Sequence, residues 1–226
     1  MSIDLVGLLR GDLHGRGHTP PIPVAVLTME LQRGVMGDLA SFPALREAAI
    51  EVDLVANAQN VVLAARALEI PVLHLTAEFR ADRLGSSANT PLHAAVLRRA
   101  DHLLSGTPAV EIIPELGPEP EDLVIPRFHG VSPFSGTSLD ASLRNLGVHT
   151  LIVTGVSVNL GVLGLCIEAV NLGYQVVLVT DAVCGVPRHY ADQVIEETLG
   201  LIATLSDSSQ IVMSMTSACR AQDGSL

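Results

Sequence analysis

The chain has 226 residues and no tryptophan, and aromatic residues make up only 3% of it. So few flat side chains argue against a surface that stacks nucleobases. Positive charge is also scarce. Thirteen basic residues face 24 acidic ones, for a net charge of −11. That balance excludes non-specific binding to nucleic acid or to an anionic membrane. The three cysteines, Cys166, Cys184 and Cys219, are too few and too scattered for a disulfide framework or a zinc knuckle. They read as thiols in a reducing compartment, so a cytoplasmic location is expected. The opening MSIDLVGLLRGDLHGRG is no secretory leader, because its apolar run is short and Asp4 stands where a basic region belongs. The uncharged stretch from Leu151 to Ile167 is interrupted by Gly155, Ser157, Asn159, Gly161 and Gly164. It falls short of the roughly 20 unbroken apolar residues that a membrane span needs.

Apolar residues supply 48% of the chain and charged ones 16%, and the mean hydropathy is +0.43. This composition excludes intrinsic disorder and suffices for a single well-buried core. It also hints that a partner covers some of the apolar surface.

Residues 1–22 read as an arm closing in Pro20-Pro21-Ile22-Pro23, residues 23–213 as one domain, and residues 214–226 as a tail. Short apolar runs predict strands at Val24–Met29, Pro71–Thr76, Asp122–Pro126, Thr150–Thr154 and Gln175–Thr180, with a last one at Gln210–Met213. Helical spacing predicts helices over 43–68, 91–104, 138–146, 159–172 and 190–205. Strands that are apolar throughout, alternating with helices, imply a mainly parallel sheet covered on both faces. The expected fold is therefore a three-layer α/β/α sandwich around about six strands, since an eight-fold barrel needs more chain. In such sheets the ligand site lies beyond the carboxyl ends of the strands. That rule selects Glu30 and Gln32, then His74 to Arg80, Arg127 to Phe134, Gly155 to Gly161 and Asp181 to Gly185.

Glu30 ends the first strand between Met29 and Leu31. A carboxyl there can act as general acid or base, or can pair structurally with an arginine. Arg127 can supply that pairing or clamp a substrate carboxylate through its planar fork. His129 can relay protons or simply bond the local backbone. Gly155-Val-Ser-Val-Asn-Leu-Gly161 lacks the glycine spacing of a dinucleotide loop and the lysine of a phosphate loop. It partly matches a nucleophile elbow at Ser157, with Asp181 and His189 following in the right order, although Asn159 replaces the last glycine. Gly161 opens the next helix, where backbone N–H groups can hold an anion. No His, Asp or Glu spacing suggests a metal site, and no cofactor is expected. Cys166 and Cys184 read as small buried hydrophobes.

Together these segments resemble the isochorismatase-like (cysteine hydrolase) superfamily. The resemblance spans Val24 to Leu205. It is carried by Val26-Leu-Thr-Met-Glu-Leu-Gln32, Leu123-Val-Ile-Pro-Arg127, Ser132-Pro-Phe-Ser-Gly-Thr137 and Leu146-Gly-Val-His-Thr-Leu-Ile-Val-Thr-Gly-Val-Ser-Val-Asn159, and is extended by Gly173-Tyr-Gln-Val-Val-Leu-Val-Thr-Asp-Ala182. It implies a Rossmann-like fold, a hydrolase activity, a homo-oligomer (a dimer or tetramer) and a cis peptide at the Val156-Ser157 turn. Amidases of the family carry an aspartate, a lysine and a cysteine. Glu30, Arg127 and Gly161 stand at those positions here, which implies a divergent site without the thiol nucleophile. Members that hydrolyse isochorismate, a vinyl ether, can carry glycine in place of the cysteine, since that chemistry needs a proton donor and no side-chain nucleophile.

The expectation is a hydrolase of a small organic anion. Glu30 serves as general acid/base, Arg127 orients the substrate, and the backbone of Ser157 to Gly161 forms the anion pocket. Gln32, His129, Phe134, Ser157 and Asn159 line the walls. Two alternatives remain at this point: a catalytically lapsed member that binds or assembles, and a serine acyl hydrolase using Ser157.

Overall fold

The computed structural model describes residues 24–223, so the expected arm at 1–22 lies outside the described residues. One six-stranded sheet organises them, in the order β3-β2-β1-β4-β5-β6 with every pairing parallel. The strands are β1 (Val24–Met29), β2 (Val72–Ala77), β3 (Leu123–Arg127), β4 (Thr150–Val156), β5 (Gln175–Cys184) and β6 (Thr204–Ser206). β1 and β4 are buried at every residue, as apolar runs between two helical layers must be.

Alternate residues of β1 divide between two cores. Val24 and Val26 join α1 (Pro43–Glu51), α2 (Leu54–Ala67) and α7 (Ser208–Asp223) on one face. Ala25, Leu27 and Met29 join α4 (Leu139–Asn145), α5 (Leu163–Asn171) and α6 (Arg188–Gln193) on the other. The short α3 (Pro91–Leu97) lies in the long excursion between β2 and β3. The three-layer sandwich expected from the sequence is the observed fold.

Four expected elements differ. The helix over 91–104 stops at Leu97, and residues 98–103 are turns in which Arg83 Nη2 donates to the Arg99 and Ala100 carbonyls at 2.8 and 3.0 Å. The helix over 43–68 is two helices, bent by 68° where Asp53 takes a φ of +51°. The helix expected to run to Leu205 ends by Leu201, and the last strand is Thr204–Ser206. Gln210–Met213 is helical, and the tail from 214 continues α7 to Asp223. The cause is local. Asp207 accepts the Gln210 N–H at 2.8 Å, a side-chain cap on the first turn. Asp181 accepts the Ser208 N–H at 2.8 Å and the Ser208 hydroxyl at 2.7 Å. Ile211 and Met215, one turn apart, then bury against the sheet.

Among the described residues no single helix is long and apolar enough to cross a membrane. Also among them, no group of three or more His, Cys, Asp or Glu side chains is arranged to hold a metal ion.

Candidate active site

The strand order reverses between β1 and β4, and ligands of open parallel sheets bind at such a switch point. A cavity of about 410 Å³ opens there, lined by Glu30, Arg127, Ser157, Asn159 and Gly161 among others. That volume is in the range of small-molecule sites.

Glu30 is the first residue past β1. Its φ of +51° turns the chain out of the strand, while its N–H stays bonded to the Leu75 carbonyl at 2.8 Å. Arg127, the last residue of β3, comes from the opposite side. Its Nη2 donates to Glu30 Oε1 at 2.5 Å and its Nε to the Gly130 carbonyl at 3.0 Å. The side chains are 8% and 17% exposed, so the pair is largely shielded from solvent. Arg127 Nη1 is buried with no hydrogen-bond partner among the described residues. An unsatisfied buried donor is costly, and an incoming ligand oxygen would relieve it. The chain contains no lysine: all 13 basic side chains are arginine.

The Val156–Ser157 peptide is cis, as the resemblance implies. A single π-helical turn, Val158–Val162, then leads into α5. Ser157 Oγ donates to Asn159 Oδ1, and Asn159 Nδ2 donates to the Val186 carbonyl at 3.0 Å. Asn159 therefore straps the turn to the loop after β5. The serine-hydrolase alternative loses its geometry. Both carboxylate oxygens of Asp181 hold Ser208 at the start of α7, His189 is exposed on α6, and no histidine bonds Ser157 among the described residues.

Three expected wall residues do not line this cavity. Gln32 is fully buried. Its Nε2 donates to the carbonyls of Ala77 and Val110 at 3.0 and 2.9 Å, and its Oε1 accepts the Ala77 N–H at 2.8 Å. It ties the end of β2 to the segment before β3. Phe134 packs in the opposite core, stacked on Tyr174 with ring centroids 5.9 Å apart. His129 is exposed and lies against Gly136, where an added Cβ would meet its Nε2 at 2.6 Å.

The excursion between β2 and β3 supplies residues that sequence reasoning missed, His93 and His102 among them. His93 follows the N-cap Thr90, whose hydroxyl accepts the His93 N–H at 3.1 Å. The Thr90-Pro91 helix start is the one sequence signal for its placement. His102 Nδ1 lies 3.0 Å from the Ser41 hydroxyl. Burial, helped by the nearby Arg99 and Arg83, pushes His102 down to about 4, so it is neutral at pH 7.

Among the described residues, no cysteine lines the cavity. Cys166 and Cys184 are buried, and burial raises both thiols to about 12, which leaves them protonated and inert.

The isochorismatase domain profile matches residues 24–210. An uncharacterized isochorismatase family protein of Bacillus subtilis, YwoC, is 35% identical over 92 residues, which covers 41% of this chain and 46% of that relative. The ureidoacrylate amidohydrolase RutB of Pantoea ananatis is 26% identical over 84% of this chain and 82% of its own. The crystal structure of an isochorismatase family protein from Desulfovibrio vulgaris superposes with a TM-score of 0.72 at 28% identity, over 83% of this chain and 95% of that one. With the switch-point cavity, the parallel sheet and the matched profile in agreement, the chain belongs to the isochorismatase family of hydrolases.

Proposed function

We propose that this hydrolase acts on a small organic anion by direct attack of water, with Glu30 as general acid/base and with no covalent intermediate on a cysteine. The observation that carries the reading is the Glu30–Arg127 pair on the wall of a cavity lined, among the described residues, by no thiol. The guanidinium fixes the carboxylate on the cavity wall, within reach of a bound water and substrate. Glu30 takes one proton from water as the new C–O bond forms. It returns that proton to the leaving heteroatom as the old bond breaks.

Arg127 fixes the carboxylate and leaves Nη1 for a substrate oxygen. The backbone from Ser157 to Gly161 opens a 14-residue helical run to Asn171, and its N-terminal dipole favours negative charge. In this reading Glu30, Arg127 and Gly161 replace the aspartate, lysine and cysteine of the family's amidases, and the absence of lysine from the chain agrees with it.

A panel of vinyl ethers, amides and esters bearing a carboxylate tests the proposal. Glu30→Gln keeps an acceptor for Arg127, so it should fold cooperatively and lose turnover by at least about a hundredfold. Turnover that survives in the folded variant would remove Glu30 from the mechanism.

A further inference from the structure

The chain has only four phenylalanines, and two of them, Phe42 and Phe79, line the cavity on either side of His102. The His102 ring meets Phe42 edge-on, with centroids 5.9 Å apart and planes at 82°, and meets Phe79 at 6.3 Å and 36°. Arginines brace this row from behind. The Arg99 guanidinium lies 4.6 Å from the Phe42 ring centre and that of Arg83 lies 5.1 Å from the Phe79 ring centre. Their N–H groups are engaged by backbone carbonyls: Arg99 by Ser41 at 2.7 Å, and Arg83 by Arg99 and Ala100 at 2.8 and 3.0 Å. These bonds hold the guanidiniums, and with them the rings, in place. Leu92, Val96 and Leu103 line the same cavity.

Little in this wall can recognise a polar ligand. Both ring nitrogens of His93 are within hydrogen-bond distance of Thr90 and Gly130. His102 carries no charge at neutral pH and has its Nδ1 against Ser41. A fixed, uncharged, aromatic wall gains most from another flat apolar group, through buried area and edge-to-face contact.

From this geometry we infer that the substrate carries a ring-sized apolar group, such as an aryl substituent, which packs against Phe42, His102 and Phe79 while its anionic end meets Arg127. The inference rests on the anion reading above and narrows it to aryl-bearing organic acids. Leu92, on α3 and 41% exposed, borders the wall at a position that tolerates a larger side chain without disturbing the core.

The test is a ligand-observed NMR titration with four probes: 3-phenylpropionate, propionate, 3-phenylpropanamide and propanamide. The phenyl compounds should bind at least about tenfold more tightly than their short counterparts, the expectation for burying several apolar carbons. Leu92→Trp, which fills the space before the wall, and Phe79→Leu, which removes a ring at similar volume, should each reduce that preference by weakening 3-phenylpropionate binding more than propionate binding. Equal affinity of long and short probes, failure of the phenyl probes to bind at millimolar concentration, or a preference that survives both substitutions would overturn the inference. The two readings fail separately. A phenyl preference without any preference for acid over amide sinks the anion reading alone. An acid preference without a phenyl preference sinks the aromatic wall alone.

Discussion

His93 and Arg127 share one acceptor, the Gly130 carbonyl, which lies 3.3 Å from His93 Nε2 and 3.0 Å from Arg127 Nε. A carbonyl only accepts, so His93 carries its proton on Nε2 and its Nδ1 accepts from the Thr90 hydroxyl at 3.0 Å. The chain of contacts therefore runs from the start of α3 through the loop after β3 to the guanidinium, and from there to Glu30. The carboxylate is positioned by two elements distant in sequence, of which the strand-end rule marks the loop after β3 and not the start of α3.

Arg127→Lys tests how much that geometry matters. An ammonium is a single point charge and cannot reach the Gly130 carbonyl and Glu30 with the fixed fork of a guanidinium. Displacement of the carboxylate by about 1 Å would lower kcat/KM about a hundredfold, with the circular dichroism spectrum unchanged. Steady-state kinetics on any substrate found in the panel decides it, and unchanged kinetics would assign Arg127 a purely structural role.

Gln32→Leu separates scaffold from site. Leucine fills a similar volume but leaves the Ala77 N–H and the Ala77 and Val110 carbonyls without their partner. Stranding these buried groups should cost about 2–5 kcal/mol, visible as a lower urea midpoint at unchanged slope. A midpoint equal to wild type would mean that those groups find other partners.

Two glycines beside Met29 should respond differently to the same methyl group. At Gly155, φ is +113° and an added Cβ would lie 2.6 Å from the Met29 backbone nitrogen and closer still to its carbonyl oxygen. Neither strand can yield without breaking the β1–β4 ladder, so Gly155→Ala should cost about 3 kcal/mol or more. At Gly161 the nearest atom is the Met29 Cε, at 2.9 Å, the tip of a flexible side chain. Gly161→Ala should cost only about 1 kcal/mol. Thermal unfolding of the pair checks the contrast, and equal losses would contradict it.

The sheet was legible in the sequence because strands buried on both faces must be apolar throughout, and β1, β2, β4 and β5 are marked by such runs, while the edge strand β3, with Leu123 and Val124 exposed, shows the same apolar run without the burial. Glu30 was legible for the converse reason, as a charge directly after such a run. Gln32 misled because strand periodicity would put it on the same side as Glu30. The chain leaves the strand at Glu30 with φ +51°, and that turn sends Gln32 into the β2 end instead. The start of α7 was readable in principle from Asp207 three residues before Gln210, but the apolar Ile211–Val212–Met213 run looks equally like a strand. His93 and His102 could not be placed, since their position depends on how the excursion of some 45 residues between β2 and β3 folds back over the cavity.

Two buried histidines set the acid limit of stability. Burial lowers His74, against the opposing pull of Asp122, and burial with Arg99 and Arg83 lowers His102 from its usual 6.5 to about 4. The unfolded chain protonates both near pH 6.5, whereas in the folded chain His74 takes up its proton only at lower pH and His102 only near 4. The unfolded state thus binds more protons below that pH, and stability falls as pH drops from about 6.5 toward 4. Each histidine contributes at most about 1.4 kcal/mol per pH unit to the slope. His102→Gln keeps a polar partner for Ser41 and removes one titrating group, so its urea midpoints at pH 7, 6 and 5 should fall less steeply than those of wild type. Parallel slopes would show that His102 protonates equally well in both states, and the neutral aromatic wall would then lose its electrostatic basis.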